Sequence, residues 1–149
     1  MSTEPVDGRA VTLTGSDRAG RAVAEAAGRH LKKTVLELGG SDAFVVLDDA
    51  PLDEACRMAA EARLVNSGQS CIAAKRFIVV DDIYEEFVDG FERELRRRSL
   101  GDPMDSDTEI GPQAHGDLVD TLDEQVQANV EARAEIRLGG APQDGAVPC

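Results

Sequence analysis

Two residues of this 149-residue chain combine reactive side chains with unusual surroundings. Cys71 lies in Asn66-Ser-Gly-Gln-Ser-Cys-Ile-Ala-Ala-Lys-Arg76, a polar, glycine-containing loop followed by two cations. A polar loop with positive charge nearby favours the thiolate form of a cysteine, so Cys71 has the setting of a nucleophile. Cys56, inside an Ala-rich segment, reads instead as an inert core thiol. Glu37 interrupts the apolar run Val35-Leu-Glu-Leu38 just before Gly39-Gly40. A carboxylate buried in such a strand suits general-base work. A glutamate on an edge strand, facing water, is the alternative. Thr14-Gly-Ser-Asp-Arg-Ala-Gly20 joins a strand to a helix, where backbone N–H groups and the helix dipole suit an anion such as a pyrophosphate. Its spacing is not Gly-x-Gly-x-x-Gly, and an ordinary tight turn is the other reading. His30 and His115 have no partner at ligand spacing and read as structural or solvated, so no metal site is expected.

Positioning these residues requires strands and helices in alternation. Arg9 to Ser16 is a β-branched strand ending at a glycine, and Asp17 to Leu31 is Ala-rich with Ala19, Val23, Ala26, Ala27 and His30 near one helical face. Thr34 to Leu38 reads as a second strand and Ala43 to Leu47 as a third, fully buried one. Asp48-Asp-Ala-Pro-Leu starts a helix running from about Leu52 to Val65. After the Cys71 loop come a strand over Arg76–Val80 and a helix carrying Ile83, Phe87, Val88, Phe91 and Leu95, with Arg96 to Arg98 at its C-terminus. Gly101-Asp-Pro and Gly111-Pro mark a long loop, Leu118, Leu122, Val126 and Val130 line a last helix, and Glu135 to Leu138 reads as a further strand. Such alternation predicts an α/β chain with parallel strands.

Composition narrows the setting. With 29 Asp+Glu against 16 Lys+Arg the net charge is −13, spread along the chain, so neither nucleic acid nor an anionic membrane is an expected partner. Lys32, Lys33 and Lys75 are the only lysines. An acidic, lysine-poor surface fits a salt-rich cytosol, where repulsion between carboxylates is screened, a merely acidic protein being the alternative. Three widely spaced cysteines without a Cys-x-x-Cys pair fit reduced thiols in a cytoplasm. Neither a secretory leader nor a membrane span is expected. Both ends look like cuts through a larger α/β protein, since parallel strands need neighbours and cover on both faces.

Together the segments Thr14-Gly-Ser16, Leu36-Glu-Leu-Gly-Gly40 and Asn66-x-Gly-Gln-x-Cys71, with Arg76 following, resemble the successive signatures of the aldehyde dehydrogenase superfamily. The step from Glu37 to Cys71, 71 − 37 = 34 residues, is also that family's usual spacing. Asp48-Asp-Ala-x-Leu-Asp53, Ile83-Tyr-Glu-Glu-Phe87, Gly101-Asp-Pro103 and Ile110-Gly-Pro112 follow in the family's order, so the likeness runs from about Arg9 to Gly140. Within the superfamily, Ser67 to Ile78 is most similar to bacterial and archaeal succinate-semialdehyde dehydrogenases.

The resemblance implies a Rossmann-like parallel-sheet fold truncated at both ends. Residues 1–40 would be the C-terminal part of a dinucleotide-binding domain and 41–149 the N-terminal part of a catalytic domain. It implies Cys71 as the nucleophile that adds to an aldehyde, Glu37 as the base that activates water against the resulting thioester, and the Cys71 N–H as an oxyanion donor. Gly15 and Ser16 would meet the pyrophosphate of NAD or NADP, and Leu38 and Gly39 would lie against the nicotinamide. Full-length relatives would be homo-oligomers acting on small aldehydes. The family's oxyanion asparagine, its ribose-binding segments and its oligomerisation strands have no counterpart here, so the resemblance is to the middle third of such an enzyme, inactive in isolation. A non-catalytic α/β interaction module retaining these motifs by descent is the other reading, and the neighbouring coding sequence would separate the two.

Overall fold

Val11 and Leu13 alternate with Thr12 and Thr14 and are the half-buried positions of β1 (Ala10–Thr14). Ser16 then caps α1 (Asp17–Arg29), its hydroxyl accepting the Ala19 N–H at 3.3 Å, with Asp17 in the favourable first turn. The face that α1 buries is Gly20, Val23, Ala24 and Ala27, a spacing of i, i+3, i+4, i+7. Ala26 and His30, expected on that face, are exposed: 3.6 residues per turn carry Ala26 around the side, and His30 is the C-cap, beyond the last helical residue Arg29. The helix ends with the Lys32 N–H on the Ala27 carbonyl (2.9 Å) and the Leu31 N–H on that of Gly28 (3.1 Å), Leu31 taking φ 52°. The reversal delivers β2 (Lys33–Glu37), which pairs parallel to β1 from Ala10 opposite Lys33 to Thr14 opposite Glu37.

The computed structural model describes residues 8–142, in two compact units divided between Gly40 and Ser41. The N-terminal residues 1–7 and the C-terminal stretch containing Cys149 lie outside the described residues.

The second unit repeats the strand, helix, strand order: β3 (Ala43–Val46), α2 (Leu52–Leu64) and β4 (Arg76–Val79), followed by a 3₁₀ turn at Asp81–Ile83, α3 (Tyr84–Arg96) and α4 (Gly116–Glu131). β3 and β4 are parallel, Phe44 opposite Phe77 and Val46 opposite Val79. Val46, Cys56, Ala59 and Phe87 form the buried core. The chain's four phenylalanines meet there, with Phe77 4.7 Å from Phe91 and 5.4 Å from Phe44, centroid to centroid. This core covers one face of the strand pair. β3 is therefore not fully buried as its apolar run predicts: Val45 is 58% exposed, because it points to the face that α2 and α3 leave open.

Helices α2 and α3 approach closely because the crossing residues are small. A Cβ at Gly90 would lie 2.6 Å from the Cys56 sulfur, whose thiol donates to the Phe87 carbonyl at 3.5 Å. The connection from α3 to α4 is tied around Glu109. Arg98 Nη1 donates to Glu109 Oε1 at 2.8 Å and the Ser99 N–H to Oε2 at 3.1 Å, which holds this carboxyl below the usual carboxylate range. The Gly101 N–H donates to the Ile110 carbonyl (3.1 Å) beside a single parallel bridge between Leu100 and Ile110.

The expected strand over Glu135–Leu138 is absent. Among the described residues no strand lies beside it to take ladder hydrogen bonds, and Ile136 and Leu138 instead line a groove with Phe91, Leu95, Leu122 and Val126. No described helix is long and apolar enough to cross a membrane, and no described group of three or more His, Cys, Asp or Glu is placed to hold a metal.

Gly90→Ala is expected to destabilise the chain by about 1–3 kcal/mol despite alanine's better helix propensity, because the added methyl meets a buried sulfur. In a Cys56→Ala background the same change should be neutral or stabilising, and denaturant unfolding of the four variants checks this coupling.

The Glu109 ties carry a pH dependence whose sign follows from its depressed folded-state pKa. Their contribution is complete above the unfolded carboxylate value of about 4.3 and is lost as pH falls through the folded value. Hydrogen-exchange protection of the Gly101 and Ile110 amides should therefore fall below about pH 4, and Glu109→Gln should abolish that acid step.

Candidate active site

At the end of α2 the backbone turns left-handed over three successive residues, with φ of 51° at Asn66, 53° at Ser67 and 77° at Gly68. Each non-glycine residue in that region costs roughly 1–2 kcal/mol, so the turn persists only if its surroundings hold it. They do so through side chains that reach backbone groups. Gln69 donates to the Asn66 carbonyl (3.3 Å) and accepts the Ala114 N–H (2.9 Å), while Gln113 donates to the Ser67 carbonyl (3.4 Å). Arg63, the last basic residue of α2, donates through Nη1 to the Ala74 carbonyl at 2.8 Å and through Nη2 to that of Gly68 at 3.4 Å. Its half-burial lowers the guanidinium's pKa by desolvation.

The tied segment presents Cys71 to solvent next to buried Ala73. The Ala73 N–H donates to the Ser70 carbonyl at 3.0 Å and the Ala74 N–H to that of Ala62 at 2.9 Å, closing the turn on both sides of the thiol. Lys75 Nζ lies against the carbonyls of Ser70 (3.4 Å), Cys71 (3.1 Å) and Ala73 (3.1 Å), and Arg76 Nε donates to that of Ser41 at 2.8 Å. The cations around this loop thus aim their donors at carbonyl oxygens and act as fasteners of the backbone. Cys56 is 3% exposed, a core thiol.

Glu37, Gly15, Ser16, Leu38 and Gly39 come together in the first unit, at the C-terminal ends of β1 and β2 beside the N-terminus of α1. The Gly15 N–H donates to the Glu37 carbonyl at 3.0 Å, extending the ladder by one residue. The Glu37 side chain is exposed and has no hydrogen bond or ion pair among the described residues, which is the water-facing of its two readings. Leu38 is half-buried and fills the space above Gly20, where a Cβ would lie 2.7 Å from Leu38 Cδ2.

The glycines here carry a further signal. A Cβ at Gly15 would meet nothing closer than 3.9 Å, and one at Gly39 nothing within 4 Å. Neither has a positive φ, so the described chain gives no internal reason for glycine at either place. Bare backbone with open space, at strand ends and a helix N-terminus, fits the close approach of a dinucleotide. The Ser16 hydroxyl satisfies Ala19, so the Asp17 and Arg18 N–H groups are the ones left facing outward.

Arg63 and Gln113 were not foreseen from the sequence. Arg63 had a detectable signal, a cation near a helix C-terminus inside an otherwise alanine-rich stretch. Gln113 had none, because its partner Ser67 is 113 − 67 = 46 residues away.

Comparison with known proteins adds four findings. A sequence model described as the aldehyde dehydrogenase family matches residues 3–147. The chain is 53% identical over 136 residues to a succinate-semialdehyde dehydrogenase [NADP(+)] of Mycobacterium avium, and this match covers 91% of the chain but 29% of that relative's length. In structure it is similar to succinic semialdehyde dehydrogenase from Streptococcus pyogenes in complex with NADP+, with TM-score 0.87 and 41% identity over 91% of this chain and 30% of that one. It is likewise similar to betaine aldehyde dehydrogenase from Staphylococcus aureus in complex with NAD+, with TM-score 0.88 and 26% identity over 91% and 27%.

In the folded chain iodoacetamide should modify Cys71 at least about 10²-fold faster than Cys56, whose exposure requires an opening of roughly 3 kcal/mol. Peptide mapping reads the two rates, which should converge in denaturant.

Proposed function

The chain belongs to the aldehyde dehydrogenase family, and from that premise we propose that the whole protein oxidises succinate semialdehyde to the dicarboxylic acid, with Cys71 as nucleophile and Glu37 as general base. The observation that carries this reading is Cys71 itself: an exposed thiol in a loop whose left-handed turn and carbonyls at Gly68, Ser70, Cys71, Ala73 and Ala74 are tied down. Covalent catalysis rewards that arrangement, since a reacting atom held in place needs no reordering when the carbonyl arrives. The 53% identity to the Mycobacterium avium enzyme supports the choice of aldehyde.

In the proposed reaction the Cys71 thiolate adds to the carbonyl carbon and the carbonyl oxygen becomes an oxyanion. The Cys71 N–H donates to that oxygen, lowering the energy of the tetrahedral adduct. NADP or NAD, when bound, supplies the hydride acceptor. Gly15 and Ser16 with the start of α1 would hold its pyrophosphate, and Leu38 and Gly39 would border its nicotinamide. With that acceptor in place, loss of hydride would turn the adduct on Cys71 Sγ into a thioester. Glu37 then takes a proton from water, whose oxygen adds to the thioester carbon, and the acid leaves as the carbon–sulfur bond breaks and the thiol is restored. The sum is aldehyde, oxidised cofactor and water giving acid, reduced cofactor and a proton.

The acidic, lysine-poor composition supports placing the protein in a salt-rich cytoplasm with neither nucleic acid nor an anionic membrane as partner, while the homo-oligomeric state follows from the likeness to the family alone. The chain spans 29% of the length of the Mycobacterium avium relative, and we expect the 149 residues assayed alone to give no reduced cofactor from semialdehydes.

In the whole protein, Cys71→Ala should abolish reduction of the cofactor. Glu37→Gln should slow steady turnover by about 10²–10⁴-fold while leaving a rapid burst of one reduced cofactor per site, because it removes the base for hydrolysis and not the nucleophile. Stopped-flow absorbance of the reduced nicotinamide reads both. Loss of the burst in Glu37→Gln would place the glutamate in the first step instead.

A further inference from the structure

The carbonyls that Arg63 joins, those of Gly68 and Ala74, stand three residues before and three after Cys71, at 71 − 68 = 3 and 74 − 71 = 3. We infer that Arg63 is a positioning residue, a clamp that closes the loop from Gly68 to Ala74 at its base and fixes where Cys71 is presented. This rests on the proposed role of Cys71.

The chemistry favours this side chain at this place. Two carbonyls on opposite limbs of a loop need two donors at a fixed separation, which the planar guanidinium provides through Nη1 and Nη2 and an ammonium does not. Arg63 is half-buried and pairs with no carboxylate among the described residues, so the carbonyls are what compensates its lost hydration. Gly68 is shaped to receive it: a Cβ there would lie 2.6 Å from Nη2, and its φ of +77° already disfavours a side chain. The Ala74 N–H is held by the Ala62 carbonyl, so the arginine reaches across from the same helical turn that anchors the far limb. The left-handed residues at 66 to 68 need such support, because their strain would otherwise relax the turn that leads to the thiol.

The test uses Arg63→Ala, Arg63→Lys and chemical rescue. In the 149-residue chain, Arg63→Ala should speed hydrogen exchange at the Ala73 and Ala74 amides by about 10-fold or more, while α3 amides and Cys56 labelling stay within about twofold. Millimolar ethylguanidinium should restore the loop's protection and ethylammonium should not, with Arg63→Lys recovering only part. In the whole protein the same substitution should lower kcat at least about tenfold with KM for the aldehyde little changed, again rescued by ethylguanidinium. Unchanged exchange at Ala73 and Ala74 would overturn the clamp. So would equal opening of α3 and Cys56, which would make Arg63 a support of the whole unit, or equal rescue by ethylammonium. If the clamp responds as expected but unsubstituted whole protein shows no aldehyde turnover, the reading of Cys71 has failed and not the geometry of Arg63.

Discussion

The contact on which the second unit depends is the close crossing of α2 and α3, where the Cys56 sulfur sits over the bare Cα of Gly90. The two helices meet there through a thiol, a glycine and Ala59, while Phe87 and Phe91, one turn apart on α3, stack at 5.7 Å and reach Phe77 on β4. That packing sets α2 against the strand pair, and the end of α2 is where the loop to Cys71 begins. The exposed thiol of Cys71 thus takes its position from a buried aromatic cluster, through one helix.

The loop itself shows how a surface segment is made definite without apolar burial. Three left-handed residues in succession are unfavourable for a chain with side chains at two of them, and the compensation is almost entirely donors aimed at carbonyls, from Arg63, Gln69, Lys75 and Gln113. Each such bond is modest, but a carbonyl without a donor in a half-buried turn is costly, and the set therefore acts together. The first unit achieves definition differently. Its parallel pair and capped helix hold the end of the strands in place while leaving backbone exposed at Gly15 and Gly39.

Charge separates the two kinds of position as well. Acidic residues are spread over the exterior and pair with arginines one helical turn away, as Glu61 with Arg57 and Glu92 with Arg96. Such exposed pairs contribute little each. Arg63, without a carboxylate partner among the described residues and half out of water, is instead held by backbone carbonyls, as Lys75 and Arg76 are.

Element type and order were legible in the residues alone, because periodicity, caps and glycines act within a few positions. Ser16 at the start of α1, the Phe87-to-Leu95 stripe of α3 and the strand before Gly15 are local facts, and so are the residue types that single out Cys71 and Glu37. What lay beyond the sequence was which apolar surface is covered. Val45 and the segment at Glu135–Leu138 have strand-like composition, yet one faces out and the other is no strand, since burial and ladder pairing depend on neighbours that the run itself does not contain. Arg63 belongs to the same class: its guanidinium matters because tertiary folding returns Ala74 to the end of α2, and no short-range pattern records a bond across 74 − 63 = 11 residues of irregular chain.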